Sequence, residues 1–323
     1  MKIGFTTSFP VEVIFAAGHT PVDLNNIFIT GNAKKFVEDA EFKGYPRNIC
    51  SWIKGMYSVV FASGIETVIG VVEGDCSNTH SLMETLKDKG ITVIPFSFSY
   101  FRNKIELERE IQKLEEHFNV EHHQVLQTKK RLDTIRKKLN YLDELTRKEN
   151  KVSGLENHLW LVNSSDFNGN PDDYEKRLDD FIAEVEKRKP LKFNLRFGFI
   201  GVPPIISNLY DFLLEHEVNV IFNEIQRQFS MPYLEKNLTN QYLRYTYPYS
   251  VFDRLEDIQI EIKKRKIDAV ISYSQSFCHR QIDNMLIKKY IDIPVLTIEG
   301  DQPGKLDERT KLRIESFLDM LKY

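Results

Sequence analysis

The chain has 323 residues, with 41% hydrophobic and 28% charged residues and a net charge of −3 from 44 basic and 47 acidic side chains. This composition excludes disordered, collagen-like and disulfide-scaffold classes, and the length allows two domains with cores of their own. No basic surplus marks a nucleic-acid binder, and no apolar run approaches the roughly 18 residues that cross a bilayer.

Met1-Lys2-Ile3-Gly4-Phe5 leads straight into strand-like sequence without a signal-peptide pattern, so a cytoplasmic chain is expected. Residues 2–8 and 12–17 read as strands with the breaker Pro10 between them. Residues 52–62 have helical spacing, 67–73 read as a strand (Val68, Ile69, Val71, Val72), 79–89 as a helix stopped by Gly90, and 91–96 as another strand. Strands alternating with helices predict βαβ units and a parallel sheet.

From about residue 101 the period changes. Leu107, Ile111, Leu114 and Phe118 make an amphipathic stripe, continued by Val125, Leu132, Ile135, Leu139, Leu142 and Leu145 among many charges. Ser153-Gly154 interrupts the pattern, and 172–189 resumes it up to Pro190. The mixed charges read as solvated helix faces. The last third returns to alternation, with strands at 193–200, 218–222, 269–273 and 295–298. Helices are expected at 204–216, 251–266, 279–290 and 307–321. The expected fold is α/β: two Rossmann- or flavodoxin-like parallel-sheet lobes, similarly built, with a helical segment between them. The division is 1–101, 102–190 and 191–323.

Several catalytic signatures are missing. There is no G-x-x-x-x-G-K-[ST], no G-x-G-x-x-G after the first strand, no G-x-S-x-G and no H-E-x-x-H. The three cysteines, Cys50, Cys76 and Cys278, are odd in number and widely spaced, which argues for reduced thiols. Most free cysteines pack as small hydrophobes. Here, however, Cys76 and Cys278 each follow a predicted strand, and Cys50 precedes a predicted helix whose dipole favours a thiolate. Three thiolates are enough to anchor an iron–sulfur cubane and leave one iron open.

The loops around these cysteines resemble those of the 2-hydroxyacyl-CoA dehydratase and benzoyl-CoA reductase family, in particular its shorter double-cubane cluster branch. Gly44-Tyr45-Pro46-Arg47-Asn48-Ile49-Cys50-Ser51 is similar to the first cluster-cysteine loop, and Gly74-Asp75-Cys76-Ser77-Asn78-Thr79-His80 to the second. Asp268-Ala269-Val270-Ile271 running into Phe277-Cys278 resembles the third. Ile293-Pro294-Val295-Leu296-Thr297-Ile298-Glu299-Gly300-Asp301 and residues 309–317 resemble the penultimate strand and terminal helix. His279 departs from the pattern, since many dehydratases place an acidic residue there.

The resemblance implies an enzyme in which Cys50, Cys76 and Cys278 hold an iron–sulfur cluster, an [8Fe-9S] double cubane or a [4Fe-4S] cubane. It implies a separate ATP-hydrolysing activator carrying its own [4Fe-4S] cluster, and a homodimer, or a heterodimer with a paralogous subunit in the dehydratases. Substrates would be small molecules in the double-cubane branch. In the dehydratases they would be 2-hydroxyacyl-CoA esters that lose water through a ketyl radical. His279, Arg47, Glu299 and Asp301 are candidate supporting or proton-donating groups. Asp75, Ser77 and Asn78 have an alternative role as a polar turn capping the helix at Thr79. A cluster-free, two-lobed binding protein is the competing class.

Overall fold

The computed structural model describes residues 1–322. Strands covered by helices on both faces carry near-continuous apolar runs, and the central strands of this chain do so. β1 (Lys2–Phe5), β2 (Thr20–Asp23), β3 (Thr67–Glu73) and β4 (Thr92–Ser97) form an all-parallel sheet in the order β2-β1-β3-β4. β5 (Leu195–Gly201), β6 (Val218–Asn223), β7 (Ala269–Gln275) and β8 (Val295–Gly300) repeat that layout as β6-β5-β7-β8. Two parallel-sheet lobes are therefore present, with the strand order of the flavodoxin-like class.

Parallel neighbours need crossovers, and helices supply them. In the first lobe these are α1 (Val11–Ala16), α2 (Leu24–Thr30), α3 (Ala33–Phe42), α4 (Ser51–Ala62) and α5 (Asn78–Asp88). The helical segment holds α6 (Lys104–His117), α7 (His122–Arg147), α8 (Gly154–Val162) and α9 (Pro171–Val185). The second lobe adds α10 (Leu209–Glu215), α11 (Glu224–Phe229), α12 (Leu238–Arg244), α13 (Val251–Arg265), α14 (Arg280–Tyr290) and α15 (Glu308–Leu321).

Two expectations are corrected. Residues 12–17 form no strand: α1 occupies them, starting after Pro10 and docking on α7. Its valines and isoleucine suggest a strand, but tertiary contact decides so short a segment. Glu12 is fully buried and bound to Arg136 of α7 at 2.8 Å. The charges of the helical segment are also not all solvated faces. Lys129, Arg136 and Asp143 are buried; Lys129 pairs with Asp133 at 2.6 Å and Asp143 with Arg265 of α13. One face of α7 is buried against α1, α8, α9 and β6, so the polar residues on that face must pair. One apolar cluster runs from Ile3 and Ile69 through Leu132 and Leu139 to Tyr242 and Tyr245, joining the segment to the first sheet and to α11, α12 and the loop after them.

Ser153-Gly154, which breaks the apolar period, starts a helix. Ser153 Oγ accepts the Glu156 amide at 3.3 Å while Glu156 Oε2 accepts the Ser153 amide at 2.9 Å, a reciprocal cap. Gly154 allows close approach, because a Cβ there would lie 2.6 Å from the Val220 carbonyl oxygen of β6.

Candidate functional site

In parallel α/β sheets ligands bind beyond the carboxyl ends of the strands, where the next helices begin. All three cysteines stand at such helix starts. Cys50 holds the N-cap position of α4, and the nearby backbone amides of Trp52 and Ile53 favour its charged form. Cys76 lies between β3 and α5, and the Asn78 amide donates to its Sγ at 3.4 Å. Cys278 lies between β7 and α14 and takes the Arg280 amide. Each sulfur therefore sits at the positive end of a helix, the environment that favours an anion.

The loops are shaped to deliver them. Gly74 has φ +93°, and a Cβ there would come within 2.8 Å of Pro248 and 2.9 Å of Phe98. Phe277, just before Cys278, is held at φ +64° although it is bulky and exposed. A brace fixes α14: Arg254 donates to Glu224 at 2.8 and 3.0 Å and to Asp283 at 3.2 Å, while Glu224 accepts the Gly201 amide at 2.9 Å.

Cys50, Cys76 and Cys278 all line one cavity of about 260 Å³. Trp52 and Met56 wall it from the first lobe, Leu155 and Val162 from α8, and Val202 and Pro204 from the second lobe. Burial pushes the Cys50 thiol up to about 12 and the Cys76 thiol to about 11, and it also raises Cys278. The sulfurs further raise one another by charge, with Cys278 acting on both Cys50 and Cys76. As free thiols they stay protonated; becoming thiolates requires a strongly positive partner in their midst.

Beside them, Tyr247 Oη donates to Asp75 Oδ1 at 3.1 Å. The Arg280 guanidinium lies 4.4 Å from the Tyr247 ring centre and donates to the Tyr247 carbonyl at 2.8 Å. Burial lifts Asp75 to about 6 against the pull of Arg280. Capping describes this turn only in part. Ser77 makes no side-chain cap, Asp75 reaches Thr79 Oγ1 at 3.4 Å, and the Asn78 amide turns to the Cys76 sulfur.

Of the four other candidates, His279 alone lines this cavity; burial, chiefly, lowers its basicity. Arg47 and Asp301 line a neighbouring open groove with Phe277. Arg47 is 93% exposed and stands 3.9 Å from Glu41. The Asp301 carbonyl accepts from Ser51 at 2.7 Å and Gln275 at 2.6 Å, tying the Cys50 helix to the second lobe. Glu299 is exposed and accepts from Ser276 at 2.6 Å.

The model of the family described as 2-hydroxyglutaryl-CoA dehydratase, D-component, matches residues 6–321. The chain belongs to that family. No curated protein matches it. The family match begins just after β1 and takes in the other seven strands and the helical segment, so the resemblance carried by the cysteine loops extends through nearly the whole chain. As a member of the 2-hydroxyglutaryl-CoA dehydratase D-component family, the chain is a dehydratase- or reductase-type enzyme component from a family associated with iron–sulfur clusters. Among the described residues no helix is long and apolar enough to cross a membrane.

Among the described residues no three His, Cys, Asp or Glu side chains close on a point that one metal ion could fill. A cubane does not ask for such a group, because its ligands each bind a different iron and so stand apart. Three sulfurs on one cavity, each backed by helix amides, are a donor set that fits an iron–sulfur cluster. Tyr247, Arg280 and His158 also line the cavity and carry no signal in the sequence. Only the alternation Tyr245, Tyr247, Tyr249 around Pro248 marks that loop as unusual.

Proposed function

We propose that the chain is the iron–sulfur component of a reductase, with Cys50, Cys76 and Cys278 holding the cluster at the inter-lobe cavity. Low-potential electrons come from a separate ATP-hydrolysing activator that carries a [4Fe-4S] cluster. The reading rests on one observation: three cysteines remote in the chain line one cavity, each at a helix start. Bound there, an iron–sulfur cluster supplies one-electron reduction at a potential tuned by hydrogen bonds to sulfur and by exposure.

The chain's own residues set those conditions. The Asn78 amide donates to the Cys76 sulfur, and the amides of Trp52, Ile53 and Arg280 at the other helix starts help offset the negative charge on Cys50 and Cys278. Trp52, Met56, Leu155 and Val202 narrow the cavity and keep water from the reduced site. Asp75, with a carboxyl that titrates near 6, and the Tyr247 hydroxyl bonded to it can hold a proton beside Cys76. His279 is a second proton-holding group on the same wall. Arg47, Glu299 and Asp301 act from outside the cavity, by shaping the mouth of the cleft. The cluster we favour is a double cubane in a homodimer, working in the cytoplasm on a small molecule.

The experiment is anaerobic purification with iron and sulfide analysis and electron paramagnetic resonance. About four irons and four sulfides per chain are expected, as one cubane per cysteine trio requires. Replacing any one of the three cysteines with alanine should remove the colour; a variant that keeps full iron would refute the ligand assignment.

Family membership favours a second reading, a subunit of a 2-hydroxyacyl-CoA dehydratase with a [4Fe-4S] cluster. Anaerobic gel filtration separates the two. A stable homodimer with a joined cluster fits the reductase, whereas a chain active only beside a paralogous subunit fits the dehydratase.

A further inference from the structure

One face of α8 carries Leu155, His158, Leu159 and Val162 at helical spacing, and all four line the cavity that holds the cysteines. His158 is the polar residue of that stripe. Its Nδ1 is occupied: Gln226 Nε2 lies 2.9 Å away and the Tyr210 hydroxyl 3.2 Å. Its Nε2 has no partner among the described residues.

The directions of the hydrogen bonds from Asp143 to Tyr210 follow from a carboxylate, which only accepts, and the Gln226 contact adds a donor of its own. Asp143, ion-paired to Arg265, accepts from Asn157 Nδ2 at 3.2 Å. Asn157 Oδ1 therefore faces Asn223 and accepts from its Nδ2 at 2.8 Å. Asn223 Oδ1 in turn takes the Tyr210 hydroxyl proton at 2.7 Å. With that proton committed, Tyr210 has none left for the imidazole. Gln226 Nε2 donates to Nδ1, and the single ring proton of the neutral imidazole belongs on Nε2.

We propose that His158 is the hydrogen-bonding anchor of the cavity, presenting Nε2–H to the acceptor atom of a small uncharged molecule whose apolar remainder packs on Leu155, Leu159 and Val162. This rests on the reading of the cavity as the substrate site and adds the class of molecule it takes. Burial supports it by lowering the His158 pKa to about 4, so the ring stays neutral near pH 7 and exerts no charge on the ligand. Charge on the walls agrees. Among the described residues Arg280 is the only Lys or Arg lining the cavity, and it is committed to the Tyr247 carbonyl and Asp283. Asp23 and Asp75 line it as well. An anionic group seated inside would find no free cation, whereas a carbonyl or similar acceptor finds an oriented N–H.

The probes are acetophenone, ethylbenzene and benzoate, which share an apolar body and differ in the polar end. Full-length protein labelled with [15N]histidine is purified anaerobically, its iron content recorded, and titrated with each. The His158 signals are expected to report an Nε2–H tautomer, neutral down to about pH 5, whose Nε2 shift moves with acetophenone. Acetophenone should bind about tenfold more tightly than ethylbenzene, the worth of one net hydrogen bond, and benzoate should bind weakest. His158→Phe should erase the difference between acetophenone and ethylbenzene; His158→Gln, which keeps a donor, should restore most of it. An Nδ1–H tautomer, equal binding of the two neutral probes, preferred binding of benzoate, or no response to any probe overturns the assignment. Iron separates this from the cluster reading: acetophenone held through His158 in a protein unable to take up iron leaves the anchor standing and removes the cluster.

Discussion

The two lobes are built on one plan and used unequally. Each runs strand, helix, strand, three helices, strand, helix, strand, followed by a helix that in the first lobe is α6 of the helical segment, with the same sheet order. α5 and α14 hold equivalent places, and the cysteine before each lies three residues past its strand, Glu73 to Cys76 and Gln275 to Cys278. α4 and α13 are equivalent too, yet α4 is capped by Cys50 and α13 by Ser250. Four residues into those helices stand Lys54 and Arg254, each committed to a carboxylate. The ends of the second strands match as well, with Asp23 opening α2 and Asn223 opening α11. The lesson is that a repeated frame supplies equivalent helix starts, and single side chains decide which of them can hold a ligand.

The largest effect tests that asymmetry at the sulfurs. Cys50→Ser replaces the thiol with the group its counterpart carries, and a hydroxyl is a poor substitute for a thiolate on iron. Iron is expected to fall from about four per chain to near background, with circular dichroism unchanged. Retention of full iron would show that the first lobe contributes one sulfur, like the second.

The braces differ by burial. Arg254 and Glu224 are each 1% exposed, so Arg254→Met leaves a carboxylate deep inside and should cost about 3–5 kcal/mol. Lys54 is also buried, but Glu41 is 24% exposed and can turn to water, so Lys54→Met should cost about 1–2 kcal/mol. Urea midpoints of the two variants check the ranking, and equal losses would mean that burial of the partner does not set the cost.

The strand ends sharpen the comparison through pH. Both tie their lobe to the stretch around α8: Asn223 through Gly154 and Asn157, Asp23 through Ser165 and the Asp166 carboxylate. Only the second tie ionises. Burial and then the Asp23 charge raise Asp166 to about 7, and burial raises Asp23 too. A carboxyl whose pKa is raised by folding favours the protonated native state. Its contribution is complete below about pH 4, the unfolded value, and is lost as pH climbs through about 7. Melting temperature should therefore decline over that window by the equivalent of about 4 kcal/mol, and Asp166→Asn should flatten the decline. A wild-type slope that survives in the variant would assign the effect to other groups.

Much of this frame is legible in the sequence. β3, β7 and the helices that follow them announce themselves because strands buried on both faces open on apolar runs, Val68 to Val72 and Ala269 to Ile271, and the helices after them keep a clear period. β2 is four residues long, carries Pro21 and lies at a sheet edge, so nothing separates it from a loop. α1 is too short to show a period, and its β-branched residues point the wrong way. α11 is concealed differently: Glu224, Gln226, Arg227 and Gln228 read as a surface, but their partners lie on α8, α13 and the loop after α12. The cysteines could be singled out because each sits beside an element boundary. His158 and Tyr247 could not, since what makes them part of the cavity is contact across the fold.

The smallest effect concerns Ser250, the counterpart of Cys50. Its Oγ accepts the Asp253 amide at 3.3 Å and the two side chains meet at 2.8 Å, completing a reciprocal cap on α13. A sulfur is larger and a weaker acceptor, so Ser250→Cys should lose about 1 kcal/mol, seen as a lower melting temperature. The new thiol should gain no iron, because Ser250 does not line the cavity although its helix matches α4 in the plan. The equivalence of the lobes therefore extends to their backbones and stops at the cavity wall. Additional iron in Ser250→Cys would show instead that any thiol at this helix start is captured, and that the difference between Cys50 and Ser250 alone confines the site to three sulfurs.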